Sequence, residues 1–300
     1  MALKVFWNPA GFDLDQIGDK QFASVTDGDT PKIVMSIRML SVDTPEKKVV
    51  ARGLSTAEAI DLFPKVRAWV LTGDSPVGDA LAAHLADKLD RPDAPQAHWA
   101  QGAAATAAHK ALTDARLKRP NGTTRNLFLR VADERFDNYG RLLAYTAPSY
   151  EAEELAGMTR ADRSTFNLDM VANGWGATLV IYPSIPGELD LPLLQEAARV
   201  AVAEARGAWA DPKALTGYEY RMVERLALLR QKLDKGQKPT ATDRNGWVER
   251  YCADISTGLL YAPRDYCRVA VWNRLFIWKK DVRAAVANLN LTPAPEFGGV

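Results

Sequence analysis

The segment VTDGDTPKIVMSIRMLSVDTPE, residues 25–46, restricts the fold of this chain more than any other stretch. Its Asp-Gly dipeptide is a turn signal, and the β-branched, apolar run that follows is typical of a strand. The charged residues within this β-type segment include Asp29, Arg38, Asp43 and Glu46. Opposite charges at this density indicate either a turn with incidental charge or a site that binds a metal ion and an anion.

These side chains have the chemistry that phosphodiester hydrolysis needs. Asp29 and Asp43 offer hard carboxylate oxygens, which suit Ca²⁺ or Mg²⁺ better than zinc. Arg38 offers a planar guanidinium that can bind a phosphate through two hydrogen bonds. Glu46 can orient or deprotonate a water molecule. For the Asp-Gly-Asp stretch taken alone the alternative is an ordinary turn, and for Arg38 it is a structural ion pair with Glu46.

A second segment, FDNYGRLLAY at residues 136–145, places Arg141 after a Tyr-Gly turn and at the start of a strand. A second arginine, distant in sequence, would complete a clamp on one phosphate. Taken together and in this order, VTDGDT, IRMLSVDTPE and DNYGRLLAY resemble the motifs of the staphylococcal nuclease (thermonuclease-like) family. The resemblance covers about residues 20–210, and MVANGWGATLVIYP and the Ala-rich GAAATAAHKALTDA also contribute to it.

The resemblance implies an OB-fold, a five-stranded β-barrel with helices. The order of elements along the chain, strands, a helical block, strands and then helices, separately favours the α+β class. The predicted domains are a nuclease-like domain at 20–210, with a helical insertion at 47–100, and a mainly helical C-terminal extension at 211–300. The implied activity is Ca²⁺-dependent hydrolysis of DNA or RNA phosphodiester bonds, with Mg²⁺ as the other candidate ion.

Carried over motif by motif, the resemblance implies roles for nine residues. The predicted catalytic side chains are Arg38, Arg141 and Glu46. The two arginines would bind the scissile phosphate, and the glutamate would act on the attacking water. The predicted metal ligands are Asp29, Asp43 and the Thr44 carbonyl. Asp27 is expected near the metal ion, behind these ligands. Tyr139 and Tyr182 are expected near the nucleotide. The alternative role for both tyrosines is hydrophobic packing.

The chain departs from the family pattern in two ways that bear on this site. Seven residues separate Thr30 from Arg38, so the hairpin between them is shorter than is usual in the family. The insertion at 47–100 follows Pro45-Glu46, where the family has a short loop. An insertion at this position can cover the cleft, select substrates or recruit a partner.

Composition argues against several other kinds of site. Two cysteines, Cys252 and Cys267, are too few for a disulfide framework or a four-cysteine zinc site, and both are expected to be reduced thiols, with one bridge as the alternative. The three histidines, His84, His98 and His109, fall in a helical, Ala-rich region, which argues against a histidine-based active site. Residues 1–16 show no signal-peptide pattern and no apolar run reaches about 18 residues, so a cytoplasmic protein is expected.

Charge is unevenly distributed along the chain. Residues 210–300 carry 15 Lys and Arg against 10 Asp and Glu, a net charge of +5, whereas residues 1–209 have a net charge of −4. The basic C-terminal region either faces an anionic partner such as nucleic acid or has an ordinary solvated surface. The leading hypothesis is a nuclease. The alternatives are a module that binds nucleic acid or protein without cutting, and an assembly protein.

Overall fold

The computed structural model describes residues 17–295, apart from the side chains of residues 133 and 134. Residues 1–16, on which the signal-peptide interpretation rests, and residues 296–300 lie outside this part. The strands are β1 (Gln21–Val25), β2 (Pro31–Val34), β3 (Ile37–Met39), β4 (Ser41–Asp43), β5 (Leu127–Phe136), β6 (Leu142–Pro148), β7 (Ala177–Ile181), β8 (Arg250–Asp254), β9 (Leu259–Tyr261), β10 (Arg274–Trp278) and β11 (Thr292–Pro293). The helices are α1 (Thr56–Leu71), α2 (Asp79–Lys88), α3 (Ala94–Leu117), α4 (Ala152–Ala156), α5 (Phe166–Ala172), α6 (Asp190–Ala203), α7 (Gly217–Asp234), α8 (Ala241–Asn245) and α9 (Val282–Leu289).

The described strands form three sheets. A hairpin pairs β1 with β2, a three-stranded sheet has the order β3-β6-β5, and a six-stranded sheet has the order β11-β9-β8-β10-β7-β4. The α+β class is therefore confirmed. A closed five-stranded barrel is not found in residues 17–295, because β1 and β2 pair only with each other and all their residues are exposed.

A sharp bend between β3 and β4 sends consecutive strands into different sheets. Ser41 has a left-handed backbone with φ of 58°, which breaks the extended run after Leu40. The buried Asn167 stabilises the bend, because its Nδ2 donates to the Leu40 carbonyl at 2.8 Å and its Oδ1 accepts from the Thr146 backbone N–H at 3.0 Å. The bend brings Asp43, at the end of β4, into the protein interior.

Residues 47–100 contain α1, α2 and the start of α3. The capping box at Ser55 is present, and Glu58 closes it at the start of α1. Pro64 lies inside α1 and does not end it, since the helix continues to Leu71. α3 begins at Ala94, and Pro95 fits its first turn, where no N–H is needed. None of the helices in residues 17–295 combines the length and apolar composition that a membrane crossing requires.

The C-terminal region contributes strands as well as the predicted helices. β10 pairs in parallel with β7, where Leu275 faces Val180, and antiparallel with β8. α7 packs against α1 and contributes Tyr220, Met222 and Leu226 to the same buried cluster as the insertion. Residues 217–278 thus share a sheet and a core with the segments that precede them.

Both cysteines are free thiols, and Cys252 is buried. Burial raises the pKa of the Cys252 thiol to about 12. We expect a thiol reagent at pH 8 to leave Cys252 unmodified in the native protein and to label it after unfolding in urea, because the thiolate is the reactive form. Mass spectrometry of the labelled peptides measures this, and rapid native labelling of Cys252 would contradict the burial described.

Candidate functional site

The candidate site is built around residues 43–46, which are held tightly between two helices. A Cβ added to Gly102 of α3 would lie 2.4 Å from the Glu46 carbonyl oxygen. A Cβ added to Gly217, the first residue of α7, would lie 2.6 Å from the Thr44 carbonyl oxygen and 2.7 Å from Asp43 Oδ2. Both contacts require glycine, and they fix this short segment from two sides.

Asp43 is a buried carboxylate between two arginines. Its residue surface is 2% exposed. Arg38 Nη2 donates to Asp43 Oδ1 at 3.1 Å, and Arg221 Nη2 donates to Oδ1 at 3.1 Å and to Oδ2 at 3.0 Å. Burial opposes ionisation of this carboxyl, but the guanidiniums of Arg221 and Arg38 outweigh it and hold the pKa of Asp43 below its ordinary value.

Glu46 is held by the same arginine from α7. Arg221 Nη1 donates to Glu46 Oε1 at 2.6 Å, so one guanidinium bridges Asp43 and Glu46. The backbone N–H of Glu46 donates to His98 Nε2 at 2.9 Å. Burial lowers the pKa of His98 to about 3, so the ring is neutral at neutral pH and Nε2 can accept this hydrogen bond.

α7 also holds the chain that follows Glu46. The buried Glu224 accepts hydrogen bonds from the backbone N–H groups of Val50 and Ala51, at 3.1 and 3.0 Å. Tyr220, one turn earlier, stacks on His98 with ring centroids 4.0 Å apart. Two charged side chains of α7, Glu219 and Glu224, are buried rather than on the outer face of the helix.

The predicted metal ligands other than Asp43 lie in different surroundings. Asp27 and Asp29 are exposed in the β1–β2 turn, where Asp29 Oδ1 accepts from the Thr30 hydroxyl at 3.2 Å. A hydrogen bond from Thr30 is the main reason why the pKa of Asp27 is lowered. The Thr44 carbonyl faces the tightly packed Gly217.

Arg141 and Tyr139 lie together on a second turn. Arg141 Nε donates to Asp137 Oδ2 at 2.7 Å, and the same carboxylate accepts from the backbone N–H groups of Tyr139 and Arg141. The Arg141 guanidinium lies 5.4 Å from the centre of the Tyr139 ring, which is 83% exposed. Among the described residues, the carboxylate that pairs with Arg141 is Asp137.

Tyr182 is bound by the C-terminal region. Its hydroxyl accepts a hydrogen bond from Asn288 Nδ2 at 2.7 Å, and its backbone N–H donates to the Phe276 carbonyl at 2.9 Å. The side chain packs against a buried cluster that includes Leu275 and Ile277. These contacts correspond to the packing alternative for this tyrosine.

The described arrangement does not fit a divalent metal ion. Arg221 binds both oxygens of Asp43, and no group of three or more His, Cys, Asp or Glu side chains within residues 17–295 is arranged to hold an ion. The hollow beside Asp43 measures about 10 Å³, which is roughly the space one water molecule needs. A metal at Asp43 therefore requires Arg221 to move.

A larger cavity, of about 850 Å³, lies on the other side of the β3–β4 bend. Its lining combines aromatic, basic and amide side chains, among them Phe128, Arg130, Tyr145, Arg163 and Asn167. Leu40 reaches this cavity, whereas Asp43 and Glu46 do not line it. This cavity and the carboxylate–arginine cluster are thus separate features.

The tight packing at Gly217 leads to a stability prediction. We expect Gly217→Ala to lower the free energy of unfolding by about 1–3 kcal/mol, because the added methyl group would overlap Thr44 and Asp43. Urea unfolding measures the change. The matched control is Gly157→Ala, where an added Cβ meets nothing within 4 Å. Equal stability of the two variants would contradict the close approach of α7.

Comparison with known proteins gives one relevant relative. No protein-family model matches the chain. Endonuclease YhcR of Bacillus subtilis (strain 168) is 27% identical to it over 150 residues. The aligned part covers 49% of this chain and 10% of the relative, so the chain matches only a small part of that protein.

Proposed function

We propose that this protein hydrolyses phosphodiester bonds of nucleic acid, DNA or RNA. The observation that carries the proposal is the convergence of Arg38, Asp43 and Glu46 at the end of β4, within one network of guanidinium–carboxylate bonds. These residues belong to the motif that resembles the nuclease family. The likeness to Endonuclease YhcR supports the same class of activity.

The chain's own residues supply binding and proton transfer in this proposal. Arg38 uses Nη2 on Asp43, and its side chain is 29% exposed, so its remaining N–H groups can bind a phosphate oxygen. Arg141, with a side chain 41% exposed, is the second phosphate-binding group and neutralises charge that grows in the transition state. Arg221 binds Glu46 Oε1, and Oε2 is the oxygen that orients a water and accepts its proton. The Ca²⁺ requirement stays a prediction, and it depends on Arg221 leaving Asp43.

Digestion of supercoiled plasmid, single-stranded DNA and RNA tests the proposal. Each substrate is incubated with wild-type protein in Ca²⁺, in Mg²⁺ and with chelator, beside Glu46→Gln protein purified in the same way. We expect cleavage by the wild type and background levels with Glu46→Gln, which controls for contaminating nucleases. Folded wild type that cuts none of the substrates in any condition would refute the activity.

A second candidate function is binding of nucleic acid without cleavage. The observation that favours it is the engagement of Asp43 and Glu46 by Arg221, together with the exposed position of Asp29 in its own turn. A gel-shift assay discriminates the two, since a binding module shifts the substrate and yields no products. Its affinity should fall steeply with salt, because phosphate contacts release counterions.

A further inference from the structure

The position of Arg221 on α7 is fixed by its neighbours. Tyr220 is buried and its hydroxyl accepts from Trp99 Nε1 at 2.7 Å, while Glu224 binds the backbone of Val50 and Ala51. α7 starts with a capping box in which Thr216 and Glu219 bond to each other's backbone N–H groups. These contacts hold α7 in the position that places the Arg221 guanidinium beside residues 43–46.

One guanidinium binds both carboxylates of the site. Arg221 makes 3.1 and 3.0 Å contacts to Asp43 and a 2.6 Å contact to Glu46, so its planar fork spans the two side chains. Arg38 adds a second cation on Asp43. Two carboxylates and two guanidiniums leave this cluster electrically balanced. A divalent ion added here would create a net charge of about +2 in a partly buried place, which is unfavourable.

The backbone of α7 also narrows the access to Asp43. Asp43 is 2% exposed, and Gly217 lies so close that its missing Cβ would be 2.7 Å from Asp43 Oδ2 and 2.6 Å from the Thr44 carbonyl oxygen. These two oxygens are the ones that the resemblance assigns to a metal. The first turn of α7 thus packs closely against these two oxygens, and Arg221 in its second turn neutralises the Asp43 carboxylate.

We propose that Arg221 is a built-in cation that competes with divalent metal ions for the Asp43–Glu46 carboxylate pair. With Arg221 in place the pair is closed to Ca²⁺, and an ion binds only after the guanidinium withdraws. The inference concerns metal access, and it rests on the proposed function only in taking Asp43 as a metal ligand. Arg221 is then the residue that sets the ion affinity of this protein.

Isothermal titration of the metal-free full chain with CaCl₂ and MnCl₂, without nucleic acid, tests this competition. We expect the wild type to bind either ion only weakly, and Arg221→Gln to bind at least about tenfold more tightly, because Asp43 and Glu46 then lack the cation that pairs with both of them. The gain should disappear in Arg221→Gln combined with Asp43→Asn. The matched control is Arg225→Gln, one turn along α7, which removes an exposed arginine that pairs with Glu249 at 3.3 Å and should behave as wild type.

Arg221→Lys covers the case in which Arg221→Gln fails to fold. Lysine keeps a positive charge near the buried Asp43 but lacks the fork that spans two carboxylates. A smaller gain in affinity, about threefold, is expected for it. Wild-type affinity in a folded Arg221 variant would overturn the proposal, as would tight binding of Ca²⁺ by the wild type. Because no substrate is present, the result does not depend on whether the protein cuts nucleic acid.

Discussion

Replacing Asp43 by alanine is expected to lower the free energy of unfolding by about 3–5 kcal/mol. The variant leaves Arg38 and Arg221 facing each other without the buried carboxylate that both of them bind. Urea unfolding followed by circular dichroism measures the loss. The pKa of Asp43 is lower in the folded protein than in the unfolded chain, so its contribution is present at neutral pH and is lost as pH falls through the folded-state value.

The matched control for this variant is Asp61→Ala. Asp61 pairs with Lys65 at 2.7 Å on the surface of α1, and its side chain is 64% exposed. Its loss should cost about 0.5 kcal/mol or less, because solvent screens an exposed ion pair. A small effect of Asp43→Ala, comparable with that of Asp61→Ala, would show that the two arginines are adequately solvated without the carboxylate.

Replacing Arg141 by alanine is expected to lower kcat/KM for nucleic acid cleavage about 10²–10³-fold, the effect of removing one group that stabilises transition-state charge. Stability should change by only about 1 kcal/mol or less, because the side chain is 41% exposed and Asp137 keeps its bonds to the backbone N–H groups of Tyr139 and residue 141. Initial cleavage rates at several substrate concentrations, together with urea unfolding, separate the two effects.

The matched control is Arg199→Ala, which removes the same charge from the surface of α6. Arg199 pairs with Glu196 at 2.6 Å, and its side chain is 51% exposed. Cleavage by this variant should equal that of the wild type. If Arg141→Ala cuts as fast as Arg199→Ala does, Arg141 is no part of the phosphate clamp.

The part of the site that sequence reasoning predicts depends on short spacings. Arg38 and Asp43 are five residues apart, on either side of the β3–β4 bend, so one local turn is enough to bring them together. The capping box at Ser55 and the strands around Arg141 can be predicted for the same reason, because each depends on residues that are close together in the sequence. The α+β class also follows from the order of such local patterns.

Contacts between distant segments were not predictable in this way. Arg221 and Asp43 are 178 positions apart, and an arginine among other charged residues on a helix is ordinarily a surface residue. Tyr182 meets Asn288 over 106 positions. A closed barrel is not found in residues 17–295, and strand pairing of this kind is hard to predict for a related reason, since the pattern of a strand shows which face is buried and not which strand lies beside it. Buried glutamates on α7 had no sequence signal that separates them from exposed ones.

The parallel pairing of β7 with β10 has a consequence for how the chain is made. Val180 and Leu275 are partners across about 95 positions, so β7 leaves the ribosome roughly 5–20 s before the strand that covers its edge. During that time an apolar strand edge is open to pairing with another nascent chain. The interval in which this protein is vulnerable to aggregation is therefore set by how fast residues 250–278 follow β7 during translation.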